Sequence, residues 1–397
     1  MSDRTPSDPA RRPTPPASVS RPVASPLWPS VVWRAEDADA LDAQYEGRTR
    51  GYAYARESHP NAEMLAAAID ALEGAPEAGG GGLMFGSGMG AVSAVLLGLL
   101  RSGDRVIASN QLYGRTLRLM TQDLPRFGIS VEFIDPTDAA AWARAAATPA
   151  AMIFAEVVSN PTLRVADMEA ARAAAQASGA LFVVDNTFTT PRGWRPFEHG
   201  ADVVLHSVTK LLAGHSDATL GWVAARDPGV REKLFAAQGS IGATASPFDC
   251  WLAERGILSF GLRYDRAEAN AAALADHLAT LPGVEAAIYP GRPDHPDHNR
   301  AGALLQGRFG TMVAFRLAGG RAAANAFIRA AEQLPFAPSL GDVQTLLSHP
   351  PSSSHRALSE EGRQALGITQ GFIRVSVGIE EIETLKAEFS RAVAAAV

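Results

Sequence analysis

Cysteine is almost missing from this chain of 397 residues: Cys250 stands alone. One thiol cannot close an internal disulfide framework or build a thiolate metal cluster, so packing must supply the stability. Long apolar runs are scarce too. The longest, Ala91–Leu100, is broken by Gly98 and falls far short of the ~20 residues that a membrane helix needs. Basic runs are absent, and 36 Lys and Arg against 42 Asp and Glu leave a net charge of −6. That balance argues against nucleic acid and anionic membrane surfaces as partners. The N-terminus shows no basic segment followed by an apolar one, the pattern of a secretory signal, so a cytoplasmic protein is expected.

Nearly half of the residues, 47%, are hydrophobic and 20% are charged. At this length two packed domains are the natural expectation. Residues 1–27, rich in Pro, Ser, Arg and Thr, read as a flexible extension. Residues 28–60 read as an arm with little regular structure that carries Tyr52, Tyr54 and Arg56. The division that follows is an N-terminal region 1–60, a main domain 61–255 and a C-terminal domain 256–397. From Asn61 a helical period (Met64, Leu65, Ala68, Ile69, Leu72) runs to a stop at Gly74.

A repeated strand, turn and helix pattern comes next. Leu83–Phe85 is a strand, Gly86-Ser87-Gly88-Met89-Gly90 a turn, and Ala91–Leu100 a helix. Arg105–Ala108, Ser130–Ile134, Ala151–Ala155, Leu181–Val184 and Asp202–Leu205 read as further strands, and Asp167 caps a helix that Gly179 stops. Short continuous apolar strands alternating with helices predict an α/β fold with a mostly parallel sheet covered on both faces. Ligands of such sheets sit at the carboxyl ends of the strands. Beyond Gly256 a long helix (Ala267–Leu281), strands at Ala286–Tyr289, Thr311–Leu317 and Phe372–Val377, and a final amphipathic helix predict a smaller α+β domain.

The strongest chemical signal is His206-Ser207-Val208-Thr209-Lys210, directly after the last of the parallel strands. Two hydroxyls can hold phosphate oxygens, and a partly desolvated amine can form a Schiff base. Alone, Ser-x-Thr-Lys reads equally as a capped loop with a solvent lysine. Asp185 ends the preceding strand, where a carboxylate can pair with a protonated pyridine nitrogen, although Asp185-Asn186-Thr187 is also turn-prone. The glycines at 86, 88 and 90 let a backbone approach an anion at a helix N-terminus. A Walker-type loop is excluded because no Gly-Lys-Ser/Thr follows. His295-Pro296-Asp297-His298 has metal-like spacing but no third ligand, so no metal is expected.

Together these stretches resemble the Cys/Met-metabolism family of fold-type I enzymes that use pyridoxal 5′-phosphate (PLP). The likeness runs from about Tyr52 to the C-terminus. It is clearest in Val183-Val184-Asp185-Asn186-Thr187-Phe188, His199-Gly200-Ala201-Asp202, Ser207-Val208-Thr209-Lys210 and Gly214-His215-Ser216-Asp217. The resemblance implies that Lys210 carries the cofactor and moves protons between substrate carbons, and that Asp185 pairs with the pyridine nitrogen. It assigns Gly88, Met89, Ser207 and Thr209 to the phosphate, Tyr113 to ring stacking and acid–base work, and Asn160 and Thr187 to the cofactor. Ser339 and Arg374 are implied for the substrate carboxylate. Tyr54 and Arg56 match a Tyr-x-Arg that reaches the phosphate of a neighbouring subunit, which implies a homotetramer with shared active sites.

The implied reaction makes or breaks a C–S bond at the γ-carbon of a homoserine-derived amino acid, as in cystathionine γ-synthases and γ-lyases. Homoserine-ester sulfhydrylase, methionine γ-lyase, cystathionine β-lyase and a non-catalytic PLP-binding protein are the alternatives. Three departures from the family pattern bear on substrate choice. His59-Pro60-Asn61 replaces Asn-Pro-Thr, Arg115 stands where a small residue or cysteine is usual, and Gln344 where many relatives carry Glu.

Overall fold

The computed structural model describes residues 19–356 and 358–397, so most of the expected flexible extension lies outside the described residues. Its last residues are docked. Trp251 Nε1 donates to the Ser25 carbonyl at 2.8 Å, and the Asn61 amide bridges the Pro26 carbonyl and the Trp28 N–H, both at 2.9 Å. The arm holds one helix, α1 (Ala38–Tyr45), capped by Asp37. Its sequence lacks an apolar stripe, which is why no period announces it. Helix α2 (Pro60–Glu73) follows, capped at its start by the His59 ring and at its end by Gly74 in the left-handed conformation.

The strands of the main sheet are β1 (Leu83–Phe85), β2 (Arg105–Ser109), β3 (Ser130–Ile134), β4 (Met152–Glu156), β5 (Leu181–Asp185), β6 (Val203–His206) and β7 (Gly221–Ala225). Their order is β1-β7-β6-β5-β4-β2-β3. Strands β6, β5, β4, β2 and β3 run parallel, and β7 is antiparallel to both β6 and β1. In β4, Ile153 joins Val184 and Val204 in the core on one face, while Met152 and Phe154 join Val183 and Val203 on the other. Both faces are covered, so both sets of alternate residues must be apolar. Each fully buried aliphatic side chain contributes roughly 1.5–3 kcal/mol.

Strand β7 falls outside the expected set, because Gly-Trp-Val-Ala-Ala is rich in weak strand formers. Helix α3 (Gly88–Leu99) begins three residues before the expected Ala91. The glycine run that reads as a turn is its first turn, with the Ser87 hydroxyl accepting from Gly90 N–H at 2.9 Å.

The long helix Phe260–Leu278 also starts earlier than the alanine-rich stretch suggested. Its first turns are fixed by Arg263, whose guanidinium donates to the carbonyls of Leu211, Leu212 and Gly256. A smaller, wholly antiparallel sheet follows, made of β8 (Val284–Ile288), β9 (Met312–Leu317), β10 (Leu346–Ser348) and β11 (Phe372–Ser376) in the order β10-β11-β9-β8. Among the described residues no helix is long and apolar enough to cross a membrane.

Candidate active site

The carboxyl ends of β4, β5 and β6 lie side by side, and the chain places Glu156, Asp185 and His206 there. Asp185 Oδ1 accepts from Thr187 N–H at 3.0 Å, and Thr187 Oγ1 in turn accepts from Ser207 N–H at 2.8 Å. One hydroxyl thus ties the acid's turn to the lysine loop. Burial pushes the Asp185 carboxyl up, while the Thr187 groups and the His206 ring pull it back down. His206 Nε2 meets Glu73 Oε1 in a fully buried contact, and Asn186 Nδ2 donates to the same oxygen at 2.7 Å.

Glycine lets α3 and the lysine loop close on each other. A Cβ on Gly88 would lie 2.6 Å from Ser207 Cβ, so only a bare Cα fits between α3 and the lysine loop. A helix start leaves its first N–H groups without intrahelical partners, which suits an anion near Gly88. Met89 packs nearby, with Thr116 Oγ1 at 3.9 Å from its sulfur. The Thr209 hydroxyl accepts from Leu220 N–H at 2.9 Å and donates to the Leu220 carbonyl at 3.1 Å, which ties the loop to the segment leading into β7.

Lys210 and the C-terminal sheet meet at Ser339. Lys210 Nζ donates to Ser339 Oγ at 3.1 Å, and Arg374 Nη2 donates to the Ser339 carbonyl at 2.7 Å. Arg374 Nη1 reaches back to Asn160 Oδ1 at 2.8 Å, while its buried Nε has no partner among the described residues. Burial, and then the neighbouring guanidinium, lower the Lys210 amine from its ordinary value. Burial brings Arg374 down to about 10, opposed by Tyr113. The guanidinium therefore stays charged at neutral pH while the amine is easier to deprotonate.

Tyr113 is the residue before helix α4 (Gly114–Arg118), and its main-chain N–H donates to Glu156 Oε1 at 2.6 Å. Gly114 is pressed against the Ser354 carbonyl, which a Cβ would meet at 2.3 Å. Arg115 is exposed.

Within one chain Tyr54 and Arg56 do not join this cluster. They line a separate cleft of about 850 Å³ with Tyr52 and Glu63, Arg56 lying 5.5 Å from the Tyr54 ring centroid and donating to the Gly239 carbonyl at 3.3 Å. Sequence reasoning missed Glu156 and the Glu73–His206 pair. For Glu156 the signal was available: an acid closing an otherwise apolar strand is the same cue that singled out Asp185.

The residues present fit PLP. An amine, a carboxylate on the adjoining strand end, a glycine-opened helix N-terminus and a buried guanidinium with an unpartnered Nε match its aldehyde, ring nitrogen, phosphate and amino-acid partner in turn. A mostly parallel sheet bearing this set at its carboxyl edge defines a fold-type I PLP-dependent enzyme.

The chain belongs to the Cys/Met metabolism PLP-dependent enzyme family, whose model matches residues 13–394. It is 38% identical to an O-succinylhomoserine sulfhydrylase of Pseudomonas aeruginosa, over 90% of this chain and 87% of that protein. It is 40% identical to an L-methionine gamma-lyase of Pseudomonas putida, over 89% of this chain and 88% of the relative. Among solved structures, cystathionine gamma synthase from Xanthomonas oryzae pv. oryzae superposes with a TM-score of 0.88 at 35% identity, covering 94% of this chain and 93% of that one. This chain is a PLP-dependent enzyme acting on sulfur amino acids.

Proposed function

We propose that the enzyme makes or breaks the C–S bond at the γ-carbon of a homoserine-derived amino acid, in the manner of cystathionine γ-synthases and γ-lyases. The observation that supports it most is the Lys210–Ser339–Arg374 linkage, which sets an amine beside a buried guanidinium. An amino acid whose carboxylate pairs with Arg374 and is steadied by Ser339 and Asn160 would present its α- and β-carbons to Lys210. Bound PLP supplies an electron sink for carbanions at those carbons. Asp185 would keep the pyridine nitrogen protonated, with Thr187 holding that carboxylate in place. The phosphate would rest on Gly88, Met89, Ser207 and Thr209. Lys210, once free, would carry protons at Cα and Cβ, and the Tyr113 hydroxyl would serve the departing γ-substituent as acid or base.

Tyr54 and Arg56 would act across a subunit boundary, on the phosphate of a neighbour, in a homotetramer built from dimers. Their distance from the Lys210 cluster within one chain favours that reading over a role in their own site. We place the enzyme in the cytoplasm.

Replacing Lys210 by alanine should remove the visible band that belongs to the lysine-linked form of the cofactor. Product analysis with O-acetylhomoserine, O-succinylhomoserine, cystathionine and methionine, each with and without thiol, should give γ-replacement products or 2-oxobutanoate. Pyruvate as the only keto acid would move the reaction to the β-carbon. No spectral change with any substrate would leave a cofactor-binding protein without turnover.

A further inference from the structure

Glu156 ends β4 after Met-Ile-Phe-Ala, so its carboxyl group is carried to the carboxyl edge of the sheet by an otherwise apolar strand. The β4–β5 register places it directly beside Asp185. Partners in adjacent parallel strands are only about 4.8 Å apart and project to the same face. Glu156 is 7% exposed, and no lysine, arginine or histidine among the described residues pairs with it. Its one direct bond among the described residues is to the main-chain N–H of Tyr113, at 2.6 Å.

Two buried carboxyl groups this close cannot both be ionised without a cation between them. The partners decide which one keeps the charge. Asp185 is favoured as the anion by the Thr187 N–H and hydroxyl and by the His206 ring. Glu156 has a single N–H donor. We propose that Glu156 is a positioning residue: a neutral carboxylic acid that anchors the Tyr113 main chain to the sheet edge beside the anionic Asp185.

In keeping with that geometry, burial first and Asp185 second push the Glu156 carboxyl well above the usual range, against the pull of the Tyr113 N–H. The acid does not touch the reacting atoms. It acts through Tyr113, whose ring and hydroxyl have a place in the chemistry only while the start of α4 is held down. The neutral acid also keeps a second negative charge from standing directly beside Asp185, where the pyridine nitrogen needs one. This inference rests on the PLP site described above but not on which sulfur amino acid is used.

The test compares three variants by the PLP dissociation constant of the apoprotein, visible circular dichroism of the bound cofactor, and kcat/KM. Glu156→Ala should weaken PLP binding by about tenfold or more and alter the visible dichroism, because Tyr113 loses its anchor. Glu156→Gln has the shape of the protonated acid and should restore both to within about threefold of the parent. Glu156→Asp keeps an acid but withdraws it by one methylene, and should fail like alanine. Rescue by aspartate rather than glutamine overturns the proposal, since charge would then be what matters. So does failure of glutamine to rescue, or an alanine variant equal to the parent. Thermal unfolding of each apoprotein separates loss of the anchor from loss of fold. Binding and dichroism read the same whether or not the proposed substrates are turned over.

Discussion

Lys210 and His355 show what burial does to single titrating groups. The amine of Lys210 is lowered by its surroundings and by Arg374. Borohydride trapping of PLP on the apoprotein should therefore reach half-maximum at lower pH than on an ordinary lysine, and Arg374→Ala should move the midpoint back up. A midpoint in the ordinary lysine range would contradict the local electrostatics. Burial, with Arg374 and Arg363 beside it, pushes the His355 ring from 6.5 down to about 4. Between those values the unfolded chain binds a proton that the folded protein refuses. Stability should fall as pH drops from about 6.5 to 4, by up to about 3 kcal/mol, and then level off. Urea titrations of His355→Gln across that window should show a shallower decline. Asp185 was legible because its neighbours in sequence form a long recognisable run. Glu156 closes its strand with the same local cue, but no such run surrounds it, and its place beside Asp185 comes from a strand pairing that no local stretch displays.

Most elements were readable where one physical signal ruled. The helix capped by Asp167 and closed by left-handed Gly179 spans Met168–Ser178, within the limits that cap and stop imply. Strands β2, β4, β5 and β6 were located within a residue or two, since both faces of each are buried and the apolar run is nearly continuous, and the edge strand β3 was found from its alternating pattern. Strand β10 is only three residues long, and its pairing with β11, Ser348 opposite Arg374, is what makes it a strand. Tertiary pairing of that kind leaves no period behind. Substitutions should respect the same distinction. Asp167→Ala removes a cap bond to Ala170 N–H and should cost about 0.5–2 kcal/mol in denaturant while leaving PLP affinity unchanged. Gly341 has φ +87°, and a Cβ there would lie 2.4 Å from Leu211 N and 2.6 Å from the Lys210 carbonyl carbon. Gly341→Ala should displace the lysine loop, and kcat/KM should fall by about a hundredfold or more, a loss of about 2.7 kcal/mol in transition-state stabilisation. Parent-like kinetics would mean that the two segments yield without consequence.

At the scale of the whole molecule the catalytic groups come from both sheets, and, on the reading above, from two chains. Mixing Arg56→Ala with Lys210→Ala protein after reversible dissociation tests the second point. In a mixed pair one site has both lesions and the other has neither. Random re-pairing makes half of the pairs mixed with one sound site each, so activity should recover to about a quarter of the parent value. No recovery would confine Arg56 to its own subunit. The chain order of Ser339 and Arg374 has a consequence for biosynthesis. Both follow the large sheet in sequence, so the residues proposed to hold the cofactor leave the ribosome before the two proposed to grip an amino acid. Synthesis thus delivers the residues proposed for the prosthetic group well ahead of the two proposed for the amino acid, and the later segment around Ser339 also braces the lysine loop from outside.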